Sequence, residues 1–492
     1  MKFSLNLRLI FVILSFVSII LGGTMLIGLF CALAYHEADM ARIFLPLALC
    51  FGFGGFLLLR FSRGRLKSKT IRIREGILAV ALCWVFAAAL GALPYLLAGS
   101  HHTFIDAFFE STACVTTTGS TLVDDLASLP KSLLFWRQFT NWIGGLGIII
   151  FAITIIPMLG YGAANLANAE MMGRATDKIR ARVKDSVRNI FLLFLTITVA
   201  EILLLAAGGT GVFDAFVLSF SSVANGGFAN YHVGATTGGS LYVDVVVSVF
   251  CVIAAMSFVS YQLLLKRRIR DFFRETEIRL FIIILAVMCL FVYIILLASD
   301  VYDTAGEAAR YGILQTISFM ATAGYSGANV DIWPQSTHWL LIAAMIVGGC
   351  SGSTSSGVKV VRVAVMLSLI KRNFHKRLHP NAVVAVKLGD KAVPADRVSS
   401  IATFVTLFTM TVLLSCFVLS FENLDAETTL GTVMAMISNT GLVLGPGIEF
   451  NGALTVFSQF SRVYMSLLMI AGRLELFTIV LLFTPIFWRP YR

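Results

Sequence analysis

Four short stretches of small polar residues carry the chemistry that can be read in this sequence. They are Thr116, Thr117, Thr118 and Gly119; Ala224, Asn225, Gly226 and Gly227; Thr322, Ala323 and Gly324; and Asn439, Thr440 and Gly441. Their common asset is backbone: each ends in a glycine, which accepts φ > 0 and leaves a row of carbonyls unobstructed. Carbonyls so arrayed can replace the hydration shell of a cation. The residues expected to hold one are Thr117, Thr118, Asn225, Gly226, Thr322, Ala323, Asn439 and Thr440.

The elements that would position them are read from the flanking residues. Each stretch closes an apolar or amphipathic segment too short to cross a bilayer: 104–121, 212–229, 307–328 and 426–445, each lying between two full apolar spans. The final glycines fall 108, 97 and 117 residues apart, too far for a solenoid and suited to a repeated membrane unit of span, half-helix, loop and span. Non-helical backbone at membrane depth is tolerated only where it is buried in protein or lines a watery cavity. Four such loops around one axis would line a pore, with half-helix C-termini aiming partial negative charge at its centre.

Composition sets the frame for these loops. The 492 residues are 58% hydrophobic and 13% charged, with a mean hydropathy of +0.87, which excludes a soluble domain. Apolar stretches near 9–34, 43–59, 76–98, 138–158, 189–208, 241–265, 278–299, 339–370, 398–421 and 456–488 predict ten spans. With both termini inside, 32 of the 38 basic residues lie on the cytoplasmic side, as the positive-inside rule expects. Against 9 acids there they leave about +23, while 5 basic residues against 16 acids leave about −11 outside. The net charge of +11 is therefore topology and contact with anionic lipid, not nucleic-acid binding. The first span follows only Lys2 and Arg8 and is too long for a cleaved leader, so it is expected to stay. Eight cysteines stand singly with no CxxC and no histidine at metal-ligand spacing, which predicts free thiols and no structural zinc.

Other motifs are weaker. VGGCSGSTSSG, from 347 to 357, interrupts the span that begins at 339, and a helix through it would cost about 1 kcal/mol per glycine. It reads as a break or as a small-residue packing face. Gly352 and Gly357 have the gap of a phosphate-binding loop, but Val358 precedes Lys359 and no Ser/Thr follows, so nucleotide binding is rejected. Arg473 is the one basic residue deep in a span and must face protein or water; a structural pair with Glu475 or Glu201 is the plain reading, although two residues apart on a helix Arg473 and Glu475 point away from each other. GYSG at 324–327 matches an intramembrane serine-protease motif, yet no histidine lies inside a span to serve as its base. Residues 382–394 alternate around Gly389-Asp390 like a small cytoplasmic hairpin.

Together these motifs resemble a known family. TTTGST, ANGGFA, ATAGYSGA and SNTGLVLGPG are similar to the four selectivity-filter loops of the Trk/Ktr/HKT superfamily of potassium transporters. WRQFTNWIGGLGIIIF, GGCSGSTSSGVKVVR, LHPNAVVAVKLGDKAVP and AGRLELFTIVLL resemble its Trk-type uptake subunits in particular. The resemblance implies an all-α polytopic protein: two N-terminal spans (1–70), pore repeats at 71–165, 186–270, 276–372 (with a broken second span) and 398–492, and a cytoplasmic hairpin at 373–397. It makes Gly348, Gly349, Cys350, Ser351, Gly352, Ser353, Gly357 and Lys359 an intramembrane gate, with Arg473 beneath the filter.

It further implies potassium as the ion, no organic cofactor on this chain, a homodimer, a cytosolic nucleotide-binding regulatory partner and a place in the bacterial inner membrane. A serine at the first filter glycine accompanies sodium permeation in this family, so glycine at 119 favours potassium. Because each loop keeps essentially one filter glycine, selection is expected to be looser than in a filter of four identical loops. The alternative is an alternating-access cation symporter, which would be built on inverted repeats.

Overall fold

The computed structural model describes residues 7–63, 73–154, 173–228, 240–448 and 452–489. An N-terminal hairpin of Leu7–Ala34 and Ala38–Arg63 comes first. Its two helices touch backbone to backbone, since a Cβ on Gly22 would lie 2.7 Å from the Gly52 nitrogen. Glu37 in its turn then accepts from the Lys131 and Ser132 amides, capping the helix Lys131–Thr154 and fastening the hairpin to the rest of the molecule.

Four units with one order of elements follow. The first has Ile73–Gly91 extended by Leu93–Leu97, then the short helix Phe104–Val115, then Lys131–Thr154. The second has Gly173–Ala207, the short Val212–Ala224, then Leu241–Ala255 and Tyr261–Leu265. Thr276–Ala298, the short Ala305–Met320, then Gln335–Val347 and Val360–Leu378 make the third. The fourth has Ala395–Leu419, the short Ala426–Ile437, then Gln459–Arg473, Phe477–Phe483 and Pro485–Trp488. Three short helices begin on a side-chain cap: Thr103 accepts from the Asp106 amide, Thr304 from Glu307 and Asp425 from Thr428. These satisfy donors the first turn would otherwise strand.

Among the described residues, six helices are long and apolar enough to cross a membrane, and Val212–Ala224, Leu241–Ala255 and Gln335–Val347 are shorter apolar ones. Two spans expected to be continuous are not. That at 241–265 stops at Ala255 and restarts at Tyr261, and that at 456–488 stops at Arg473 and restarts at Phe477. In the fourth unit Glu475 and Leu476 take φ of 56° and 41°, which no helix continues through. In the second, the carbonyls freed by the break are taken by another chain segment, so hydropathy stays high while the hydrogen bonds leave the helix. The end of the expected span 138–158 lies outside the described residues.

The core lies in two apolar clusters, one around units two and three and one joining units one and four to the N-terminal hairpin. On one end of the bundle Lys387–Leu388 pairs antiparallel with Lys391–Ala392 around Gly389-Asp390. All eight cysteines are free.

Candidate functional site

The four polar stretches adopt one backbone geometry. After each short helix comes a residue in the left-handed region: Thr117 (φ 54°), Asn225 (52°), Thr322 (51°) and Asn439 (52°). Its N–H bonds back to Cys114, Ser222, Phe319 or Met436, and the next residue's N–H bonds to Ala113, Ser221, Ser318 or Ala435 at 2.8–3.0 Å. This is a Schellman ending, repeated four times. Two residues further on, Gly119, Gly227, Gly324 and Gly441 take φ of 90°, 64°, 73° and 80°. Asn tolerates the left-handed region, whereas the β-branched Thr117 and Thr322 are held there at a cost of order 1 kcal/mol each.

The glycines close these stretches into a ring. A Cβ on Gly119 would lie 2.6 Å from the carbonyl oxygen of Gly226, and one on Gly227 would lie 2.7 Å from that of Ala323. One on Gly324 would strike the Thr440 carbonyl oxygen, and one on Gly441 that of Thr118. Each glycine thus faces the carbonyl preceding the next unit's glycine, around to the start. Thr118, Gly226, Ala323 and Thr440 supply these carbonyls, and Thr117, Asn225, Thr322 and Asn439 stand one residue nearer the helix. Thr116 caps the first short helix and Ala224 is the last residue of the second, so these two contribute helix ends to the site.

Side chains tie the ring together. Asn439 Nδ2 donates to Thr118 Oγ1 and to the Met469 carbonyl, both at 2.9 Å. Thr116 and Thr118 share a hydroxyl contact of 2.8 Å, and Ser438 and Thr440 repeat it in the fourth unit.

Directly against the ring lies the loop between Val347 and Val360. Its neck is narrow: a Cβ on Gly357 would sit 3.0 Å from the Gly348 Cα. One flank is anchored on the broken helix of the second unit. The Cys350 amide reaches the Ala255 carbonyl at 2.9 Å, Thr354 N and Oγ1 reach that of Ala254, and Phe258 N reaches the Gly352 carbonyl. Ser351 N donates to Glu277 Oε1, and Ser353 Oγ to the Cys350 carbonyl. The Gly349 amide donates to Ser355 Oγ, and Lys359 Nζ crosses the loop to the carbonyls of Cys350 and Ser355.

The tip, Thr354 to Ser356, meets the ring. Asn225 Nδ2 donates to Thr354 Oγ1 at 3.0 Å, Thr322 Oγ1 lies 3.1 Å from Ser355 Oγ, and the Ser356 amide donates to Thr322 Oγ1 at 2.9 Å. Arg473, fully inside, donates through Nη1 to the Thr354 carbonyl (2.7 Å) and Ser356 Oγ (3.2 Å). It does not pair with Glu475, which is held by Arg362 at 2.5 Å, nor with Glu201, which accepts from Ser222.

Sequence reasoning took the whole stretch 348–357 as the gate and singled out Gly352 and Ser353, but not Thr354, Ser355 and Ser356, the loop residues nearest the ring. Their hydroxyls at three consecutive positions were the available signal, but which face of the loop they occupy is a tertiary fact. At GYSG, Ser326 Oγ donates to the Ala328 carbonyl while both ring nitrogens of His338 are taken by Glu427 and the Val330 carbonyl, so Ser326 and His338 do not pair. Among the described residues no His/Cys/Asp/Glu group could hold a metal ion.

Known proteins resemble this chain over nearly its whole length. The family model described as "TrkH: Cation transport protein" matches residues 39–489. The Trk system potassium uptake protein TrkH of Salmonella typhimurium is 32% identical over 490 residues, covering 99% of this chain and 100% of that protein. The Escherichia coli K12 protein of the same name is 32% identical over 491 residues. The crystal structure of the potassium transporter TrkH from Vibrio parahaemolyticus matches with a TM-score of 0.90 at 29% identity, covering 98% of this chain and 100% of that one. The chain therefore belongs to the TrkH family of cation transport proteins, a family of multi-pass membrane transporters and not of enzymes.

Proposed function

We propose that this chain takes up potassium across the bacterial inner membrane through a filter made by the four carbonyl-lined loops. The relatives of matching length are named for potassium uptake, and the observation that carries the reading is the closed order in which each filter glycine faces the next unit's carbonyl. A potassium ion, as cargo, sheds water among the carbonyls of Thr118, Gly226, Ala323 and Thr440, with Thr117, Asn225, Thr322 and Asn439 forming the adjoining layer. A glycine at all four positions keeps side chains out of that path. No organic cofactor enters the scheme.

The segment 348–357 with Lys359 obstructs the inner side of the filter, and Arg473 repels cations there until the loop moves away. Both termini lie in the cytoplasm, a negative interior drives inward flow, and the chain works as a homodimer in contact with lipid. A cytosolic nucleotide-binding partner moves the gate through the cytoplasmic hairpin and the helix leading from it.

Ion flux into liposomes holding the purified protein tests this. K⁺ should enter faster than Na⁺, at a rate that follows the imposed voltage. Turnover locked to proton movement would instead favour an alternating-access symporter. Gly119→Ser should abolish most of the K⁺/Na⁺ preference, and an unchanged ratio would sink the filter assignment.

A further inference from the structure

Behind the ring, in the first unit, sits a buried ion pair that neither the filter nor the gate uses. Glu110 and Arg137 are 0–1% exposed, and Arg137 Nε donates to Glu110 Oε1 at 2.7 Å. Glu110 also accepts from Thr121 Oγ1 at 3.1 Å and from the Leu122 amide at 3.0 Å. Those two residues directly continue the loop that leaves Gly119 through Ser120. On its other side the Arg137 guanidinium lies over the ring of Phe228, 4.2 Å from its centroid, and Phe228 directly follows Gly227. One arginine thus touches the supports of two neighbouring loops.

Comparison of the units separates this pair from general packing. Glu110 stands nine residues before its filter glycine, and the same offset gives Leu218, Gln315 and Thr432. In the third unit Gln315 does the same work: its Oε1 accepts from the Gly327 amide at 3.1 Å, three residues past Gly324 as Leu122 is three past Gly119. Two units therefore hold the chain that leaves the filter glycine from behind by one device, and among the described residues only the first joins that hold to a charge shared with the neighbouring loop.

From this geometry we infer that Glu110 and Arg137 are specificity-determining positioning residues. They fix the separation of the first and second loops, and so the size of the carbonyl ring, without touching the ion. The inference rests on the filter reading. A ring free to contract coordinates the smaller sodium ion, so a slack brace lowers discrimination before it lowers potassium flux. Removing one charge alone would strand the other in the interior. The decisive variants are therefore the double change Glu110→Gln with Arg137→Met, which removes both charges, and Phe228→Leu, which leaves the pair intact.

Flux of K⁺ and of Na⁺ is measured in liposomes for each, with Gly119→Ser alongside. The double variant should lower the K⁺/Na⁺ flux ratio about tenfold, equivalent to about 1.4 kcal/mol of discrimination. Phe228→Leu should lower it about threefold, a fraction of the worth of a buried cation–π contact. A purely structural pair would lower the melting temperature and leave the ratio alone. A folded double variant and Phe228→Leu that both keep the wild-type ratio, while Gly119→Ser loses it, overturn the brace; if the double variant does not fold, Phe228→Leu decides. A Gly119→Ser protein with an unchanged ratio refutes the filter reading instead, so the two failures are distinguishable.

Discussion

At the scale of single residues, the site is defined by what cannot be added to it. A methyl group on Gly227 or Gly324 would meet backbone of the neighbouring loop, not the far end of a flexible side chain, so nothing can move aside cheaply. The positive φ of each glycine adds a second penalty for any L side chain. Gly324→Ala is therefore expected to cost about 2 kcal/mol or more in stability, from strain and overpacking together. Thermal unfolding in detergent checks this, and a change under about 0.5 kcal/mol would mean that the ring is not closed.

Arg473 gives the complementary case. Its guanidinium holds the Thr354 carbonyl and Ser356 hydroxyl, so Arg473→Ala removes both the loop's tether and a buried positive charge at the loop tip. Potassium flux in liposomes should rise, and a flux equal to or below wild type argues against a gating role.

At the scale of elements, the short helices are held by their ends. Asp425 begins the fourth, accepting from the Thr428 amide at 2.9 Å and from the Thr428 hydroxyl at its other oxygen. Burial is the largest single influence and opposes its charge, but the hydrogen bonds from Thr428 and from the neighbouring backbone amides together outweigh it and hold its carboxyl below the ordinary range. A depressed pKa means that the cap's contribution is complete above the unfolded value near 4 and is lost as pH falls through the folded one. Asp425→Ala should lower stability by about 1 kcal/mol at neutral pH. The gap between variant and wild type should close as the pH is brought below about 4. Melting curves across that range measure it, and a gap independent of pH would show that the carboxylate does not act as the cap.

The broken second helices belong to the same scale. In the second unit, Ala254 and Ala255 lose their intrahelical partners, and the amides of Thr354 and Cys350 take their place. A helix is thus interrupted so that its carbonyls can seat another unit's loop. Hydropathy cannot register that exchange, because the residues at 256–260 are nearly as apolar as those around them and only their hydrogen bonds change direction.

At the scale of the whole molecule, the proposed orientation rests on the distribution of charge. The segments carrying 32 of the 38 basic residues share one side if both termini are inside. With native Cys50 replaced by serine, Asp303→Cys should react with a membrane-impermeant maleimide in intact cells. Lys391→Cys, in the hairpin, should react only after permeabilisation. The opposite pattern would reverse the direction assigned to the gate. The Glu110–Arg137 brace also belongs here, since its effect depends on two units meeting and on neither alone.

The sequence by itself determined the membrane class, the fourfold return of a short helix ending in a polar turn, and the glycines at its close. Each of these is local: a run of apolar residues, a cap, a residue that must accept positive φ. It also singled out Arg473, because a lone charge in an apolar span must have a partner. Only the tertiary structure decided who that partner is, which of the loop's hydroxyls face the ring, and that two further spans are broken. Those answers depend on hydrogen bonds and ion pairs between residues far apart in the chain, 33 positions from Thr322 to Ser355 and 119 from Arg473 to Thr354. Periodicity within one segment holds no information about such pairs.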